Sequence, residues 1–158
     1  MREHDVNETE AAQAIGDCEL AIRRRFAAAP SRVFGAWSDP AQFRQWWAPE
    51  GFGITLLACE MDVRSGGSYR LVYGMGQADT LTFHGTYPDV VAGERIVWTN
   101  AEDPEGAITT VTFADAAGGT LVTYHERYPT RAARDEALET SAMALPGQLD
   151  QLAALLAV

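Results

Sequence analysis

Histidine, cysteine, serine and carboxylate side chains are where chemistry near neutral pH would start, and this chain of 158 residues has three histidines and two cysteines. His84 stands between Phe83 and Gly85, and His125 follows Tyr124. In strands, both therefore fall in the phase opposite the apolar residues and face solvent. His4 sits in a polar N-terminal stretch. Glu60 and Asp62 also face outward by alternation, which argues against a carboxylate pair for acid–base work and suits pairing with Arg64 or Arg70. Ser65 and Ser68 lie at turns with no histidine in reach by this register, so no nucleophile and base come together. Cys59 falls in the buried phase, where thiols are inert, and Cys18 and Cys59 have neither disulfide-framework nor metal-ligand spacing. Gly66-Gly67 and Gly74-Met75-Gly76 read as hairpin glycines, because no helix follows either to cradle a phosphate. No catalytic residue, metal ligand or cofactor site is assigned.

Charge narrows the classes further. All 12 basic residues are arginine, which excludes Schiff-base chemistry and a phosphate-binding lysine. The formal net charge is -10. Half of it comes from residues 1–19, where Glu3, Asp5, Glu8, Glu10, Asp17 and Glu19 face Arg2 alone. Acidity repels phosphate backbones, and Arg23-Arg24-Arg25 lies in a strand-like run that splits its charges between two faces, so nucleic acid is not an expected partner. No apolar run approaches the ~20 residues of a membrane span, and the N-terminus lacks the basic-then-apolar order of a signal peptide. Membrane insertion is not expected, and a reducing, cytoplasmic setting is.

These side chains must be positioned by one domain. Residues 1–18 read as a mobile acidic extension with a short helical piece at Thr9–Ile15, and residues 19–158 as the folded unit. From Glu19 to Ala27 the pattern is a strand, with Leu20, Ile22, Arg24 and Phe26 in one phase. Pro30 suits the first turn of a helix carrying Val33, Phe34 and Trp37; Asp39 caps a second short helix that begins at Pro40 and carries Phe43, Trp46 and Trp47. Residues 52–128 read as six strands in an antiparallel meander, which the first strand completes to seven. In the first of the six, Thr55, Leu57, Cys59, Met61 and Val63 share the covered phase; Leu81 shares it in the third. Leu138, Ala142, Leu145, Leu149, Leu152 and Leu156 then make one stripe on a long helix from about Arg131 to the end. Pro146 is expected to kink it, at about 3 kcal/mol if uncompensated.

The fold class is α+β, a strongly curved antiparallel sheet around a long C-terminal helix, and such a sheet leaves a cavity unless large side chains fill it. Trp46 and Trp47 are expected at its mouth, with Tyr69, Tyr73, Phe83, Tyr87, Trp98 and Tyr124 along the covered face. Tyrosine hydroxyls in an otherwise apolar pocket are the usual composition of a small-molecule site. Arg24 would turn a guanidinium inward toward a carboxylate or ketone, and Met143 and Leu145 complete the candidate ligand-binding set from the helix.

The order Ala-Pro-Ser-Arg-Val-Phe-Gly-Ala-Trp-Ser-Asp-Pro at 29–40, Trp46-Trp47, Cys-Glu-Met-Asp-Val-Arg-Ser-Gly-Gly at 59–67, Phe-His-Gly-Thr-Tyr at 83–87 and Glu-Arg-Ile-Val at 94–97 resembles the family named for the activator of heat-shock protein 90 ATPase. That family belongs to the START-like, or SRPBCC, superfamily, and the resemblance implies the helix-grip fold of the birch pollen allergen from about Glu19 to Val158. One departure stands out: Ala144-Leu145-Pro146-Gly147 replaces the family's Gly-Trp ahead of Leu149-Asp150-Gln151-Leu152. Either Leu145 fills the same core position or the pocket is roomier and differently gated. The superfamily's fold hosts many roles. The expectation is binding of a hydrophobic or aromatic small molecule between sheet and helix. Alternatives are a cyclase-, dehydratase- or hydrolase-like enzyme in the same cavity, which needs an inward acid or base that the register does not supply, and a chaperone-regulating or protein-interaction domain, as the family name implies. A homodimer through a strand edge or the outer face is left open.

Overall fold

The computed structural model describes residues 8–9, 11–76, 78–100 and 106–157. Eight strands, β1 (Gln13–Ile15), β2 (Glu19–Phe26), β3 (Thr55–Met61), β4 (Ser68–Gly74), β5 (Thr80–Val91), β6 (Arg95–Asn100), β7 (Ile108–Ala116) and β8 (Gly119–Arg127), form one antiparallel sheet in the order β1-β2-β8-β7-β6-β5-β4-β3. Strands β3 to β8 are the expected meander. Two short helices, α1 (Pro30–Ser38) and α2 (Pro40–Trp46), carry the chain from β2 across to β3 at the far edge. Pro30 and Pro40 both stand in first turns, where a missing N–H leaves no bond unmade. Asp39 ends α1 and caps α2, its carboxylate accepting from the Ala41 N–H at 3.0 Å.

The described residues form eight strands, not seven, and within the helical piece expected at Thr9–Ile15 the residues Gln13–Ile15 are strand. Gln13, Ala14 and Ile15 pair with Ala21, Leu20 and Glu19 across a turn in which Gly16 takes φ +56°. Farther back, Thr9 donates its N–H to the Arg23 carbonyl at 3.0 Å, and Glu8 accepts from the Arg25 N–H at 2.9 Å. The physical reason is that β2 would otherwise be an edge with open backbone groups, which Glu8, Thr9 and Gln13–Ile15 satisfy. The rest of the acidic stretch, residues 1–7 and 10, with His4, lies outside the described residues.

A second correction concerns β3. The register against β4 shifts between Leu56 and Ala58, so Leu56 is buried and Leu57 is 52% exposed. A bulge inserts one residue and reverses the phase beyond it, which simple alternation cannot anticipate. Leu81 in β5 lies opposite Tyr73 on the covered face as expected, where it borders the smaller lobe at a solvent-exposed rim.

The long C-terminal helix is broken. α3 (Arg131–Glu139) is capped by the Thr130 hydroxyl, a 3₁₀ turn follows at Ser141–Ala144, and α4 (Leu145–Leu156) begins anew with Pro146 in its first turn. Proline does not kink a continuous helix here; it starts one, where its absent N–H would have had no partner. Leu145, Leu149 and Leu152 still form the buried stripe expected, packed with Leu20, Ile22, Ile96, Val111 and Val122 of the sheet. Arg134 of α3 is almost wholly buried and donates to the carbonyls of Ile15, Gly16 and Glu19, fastening the helix to the β1–β2 turn. Gln151 of α4 donates to the carbonyls of Trp46 and Ala48, satisfying the C-terminal end of α2.

Candidate ligand-binding cavity

The sheet curls around these helices and leaves two contiguous lobes, of about 370 and 290 Å³. Trp47, Tyr73, Phe83, Tyr124, Glu126 and Ser141 border both. Each comes from an element whose local rule places it there. Tyr73 and Phe83 face each other across β4 and β5, their rings 5.6 Å apart and nearly perpendicular, while Trp47 follows the last turn of α2 and donates its indole N–H to the Tyr73 hydroxyl at 2.8 Å. Burial pushes the Tyr73 phenol up to about 12, against the opposing pull of that N–H. Tyr69 donates to the Thr99 carbonyl at 2.9 Å. That bond needs Gly85, because a Cβ there would lie 1.7 Å from the Thr99 oxygen and 2.8 Å from the Tyr69 hydroxyl. Trp37 also lines the larger lobe, and its buried indole N–H has no partner among the described residues.

The polar centre is Glu126, which borders both lobes near the end of β8. Tyr124 and Thr109 donate to its Oε2 at 2.8 and 3.1 Å, and Tyr128 donates to its Oε1 at 2.7 Å. Burial first, and then the adjacent carboxylate, hold the Tyr124 and Tyr128 phenols well above their ordinary value, so both remain hydroxyl donors. Ser141, from the 3₁₀ turn, borders both lobes and works against the rise at Tyr128. Among the described residues bordering either lobe, Glu126 is the one formally charged side chain. Sequence reasoning found no inward carboxylate, and this is a correction. The signal was present: Val122, Tyr124 and Glu126 are alternate residues of one strand and share its covered face.

The ten residues expected to contact a ligand separate clearly. Trp47, Tyr69, Tyr73, Phe83, Trp98 and Tyr124 border the larger lobe, and Leu145 borders the smaller. Three do not border either. Trp46 is fully buried under α1, its indole N–H bonded to the Ala36 carbonyl at 2.9 Å, because neighbouring helical residues point about 100° apart and only Trp47 can turn to the cavity. Arg24 does point to the helical side of the sheet, but its guanidinium meets Asp150 of α4 at 2.8 Å instead of the pocket. Met143 is 66% exposed on the outside of the 3₁₀ turn. Leu145, at 4% exposure, occupies the core position that the departure from Gly-Trp put in question.

The residues set aside also have physical accounts. Glu60 pairs with Arg70 at 3.3 Å and Asp62 with Arg64 at 2.8 Å on the outer face. His125 meets Glu19 at 2.7 Å, away from the cavity. Burial pushes the Cys59 thiol up, with Arg44 opposing, and its Sγ lies 3.3 Å from the Met61 sulfur. No group of three or more metal-ligating side chains occurs among the described residues, and no helix there is long and apolar enough to cross a membrane.

The model of one protein family, described as activator of Hsp90 ATPase homolog 1-like protein, matches residues 27–157. No curated protein matches. Among solved structures, a protein from Rhodobacter sphaeroides is 22% identical with a TM-score of 0.84, the match covering 92% of this chain and 96% of that one. A protein from Chromobacterium violaceum is 30% identical with a TM-score of 0.71, covering 87% and 95% of the two chains. An AHSA1-like protein from Aeromonas hydrophila is 20% identical with a TM-score of 0.72, covering 86% and 92%.

Proposed function

This chain belongs to the activator of Hsp90 ATPase homolog 1-like family, and from that premise we propose that it binds a hydrophobic or aromatic small molecule between the curved sheet and the split C-terminal helix. The observation that carries this reading is the cavity itself. Its larger lobe of about 370 Å³ falls in the size range of ligand pockets, and aromatic walls surround a few convergent polar groups. The β8 tyrosine, the β4 and β5 rings and Trp47 are held by hydrogen bonds and ring contacts before any ligand arrives, which lowers the ordering cost of binding.

Glu126 also supplies the inward acid or base that a cyclase-, dehydratase- or hydrolase-like reaction would need. Binding is the stronger reading because no histidine, cysteine or second carboxylate among the described residues borders either lobe to share proton transfer with it.

Native mass spectrometry of freshly purified protein tests the proposal. Wild type is expected to retain an apolar species that S141F does not, since Ser141 borders both lobes on an exposed turn where a ring fills the space without disturbing the core. Equal retention by both proteins, or no bound species and no uptake of an added apolar ligand by wild type, would overturn it.

A further inference from the structure

Glu126 presents a carboxylate to the cavity, and among the described residues no positive side chain answers it. Its partners are three hydroxyls, from Tyr124, Thr109 and Tyr128. Hydroxyl donors orient a carboxylate without neutralising it. An ionised carboxylate offers about four acceptor sites. Two donors share Oε2 and one reaches Oε1, which leaves room on Oε1 for a fourth donor. No arginine among the described residues borders either lobe, and Arg24, Arg95, Arg131 and Arg134 are committed to Asp150, Asp89, Asp17 and Asp135.

We propose that the molecule taken by this cavity is a protonated amine on an apolar or aromatic body, its N–H donated to Glu126 and its carbon frame enclosed by Trp37, Trp47, Trp98 and Tyr73. The inference rests on the ligand-binding reading above and gives it a chemical class. Three effects favour the cation over an alcohol or a carboxylate on the same frame. A charge-assisted bond to Glu126 is stronger than a neutral one. Aromatic faces attract cations, and the rings of Trp37, Trp98 and Tyr124 lie with centroids 6.1 to 6.3 Å from one another beside the carboxylate. The formal charge of -10 raises the local concentration of cations and repels anions. An acidic amphiphile would set like charges together in a poorly hydrated space. The two phenols cannot relieve that repulsion, because each already gives its one O–H to Glu126. The chain has no lysine, so an aldehyde or ketone has no side-chain amine here to condense with.

Isothermal titration calorimetry at neutral pH with phenylbutylamine, phenylbutanol and phenylbutanoate varies the head-group charge on one carbon frame. The amine is expected to bind wild type about tenfold or more tighter than the alcohol, with the carboxylate weakest. In E126Q the amine and alcohol should come within about twofold of each other, since the amide keeps the shape and removes the charge. The wild-type series decides alone should E126Q fail to fold. Alcohol or carboxylate binding as tightly as the amine would overturn the amine assignment and leave the cavity reading standing. No binding of any of the three would instead count against the cavity as a ligand site.

Discussion

Glu126 is the residue around which the site is organised, and its surroundings make a measurable statement about the tyrosines. An unburied phenol ionises near pH 10. Tyr73 is pushed up to about 12, and Tyr87, Tyr124 and Tyr128 are also held well above their ordinary value, in each case chiefly by burial. A spectrophotometric titration of the phenolate band should therefore leave most of the five tyrosines un-ionised at pH 11 while the fold holds. The sign for stability follows. The unfolded chain releases these protons from about pH 10 and the folded chain keeps them, so stability falls as pH rises above about 10. A normal titration of all five near pH 10 in the folded protein would contradict the buried network. Much of this network was legible from strand alternation, which placed Tyr69, Tyr73, Phe83, Trp98 and Tyr124 on the covered face. What alternation did not weigh was a charged residue two places beyond a tyrosine. Glutamate side chains mostly stay at the surface, and the three hydroxyl donors make the inward placement of Glu126 intelligible.

Elements carry a different lesson, because backbone irregularities reshape the site more than side-chain types do. The β3 bulge moves Leu57 out and Leu56 in, and the 3₁₀ turn brings Ser141 against Tyr128. Neither irregularity leaves a mark in hydrophobic spacing, since the leucine stripe keeps its helical rhythm straight through the break. Pro146 is the clearest test of the split. Inside a continuous helix its replacement by alanine would restore a hydrogen bond and stabilise by roughly 3 kcal/mol. In the first turn of α4 there is no bond to restore, and alanine only gives the unfolded chain more freedom. P146A is therefore expected to lower stability by about 0.4–1 kcal/mol in urea denaturation. A gain of several kcal/mol would mean that α3 and α4 are one strained helix.

At the scale of the molecule, the fold is a hollow shell whose stability and occupancy are linked. A ligand that binds only the folded state at about a hundredfold its Kd adds about 2.7 kcal/mol. For a domain of this size that is a rise of roughly 5–10 °C in Tm, which phenylbutylamine should give to wild type but not to S141F. An equal rise in both proteins would place the ligand outside the cavity. The acidity of the whole chain, half of it in the first 19 residues, enters as a field acting on what approaches, and the part nearest the fold is tied down along β2. Four tryptophans are present, and all stand in one cluster: Trp37 lies 4.7, 6.0 and 6.3 Å from Trp46, Trp47 and Trp98 between ring centroids. Chromophores so close exchange excitation faster than they emit, so the four indoles form a single optical antenna, three of whose members border the cavity. A ligand entering the interior is therefore expected to change the protein's own tryptophan emission, a readout that needs no attached dye.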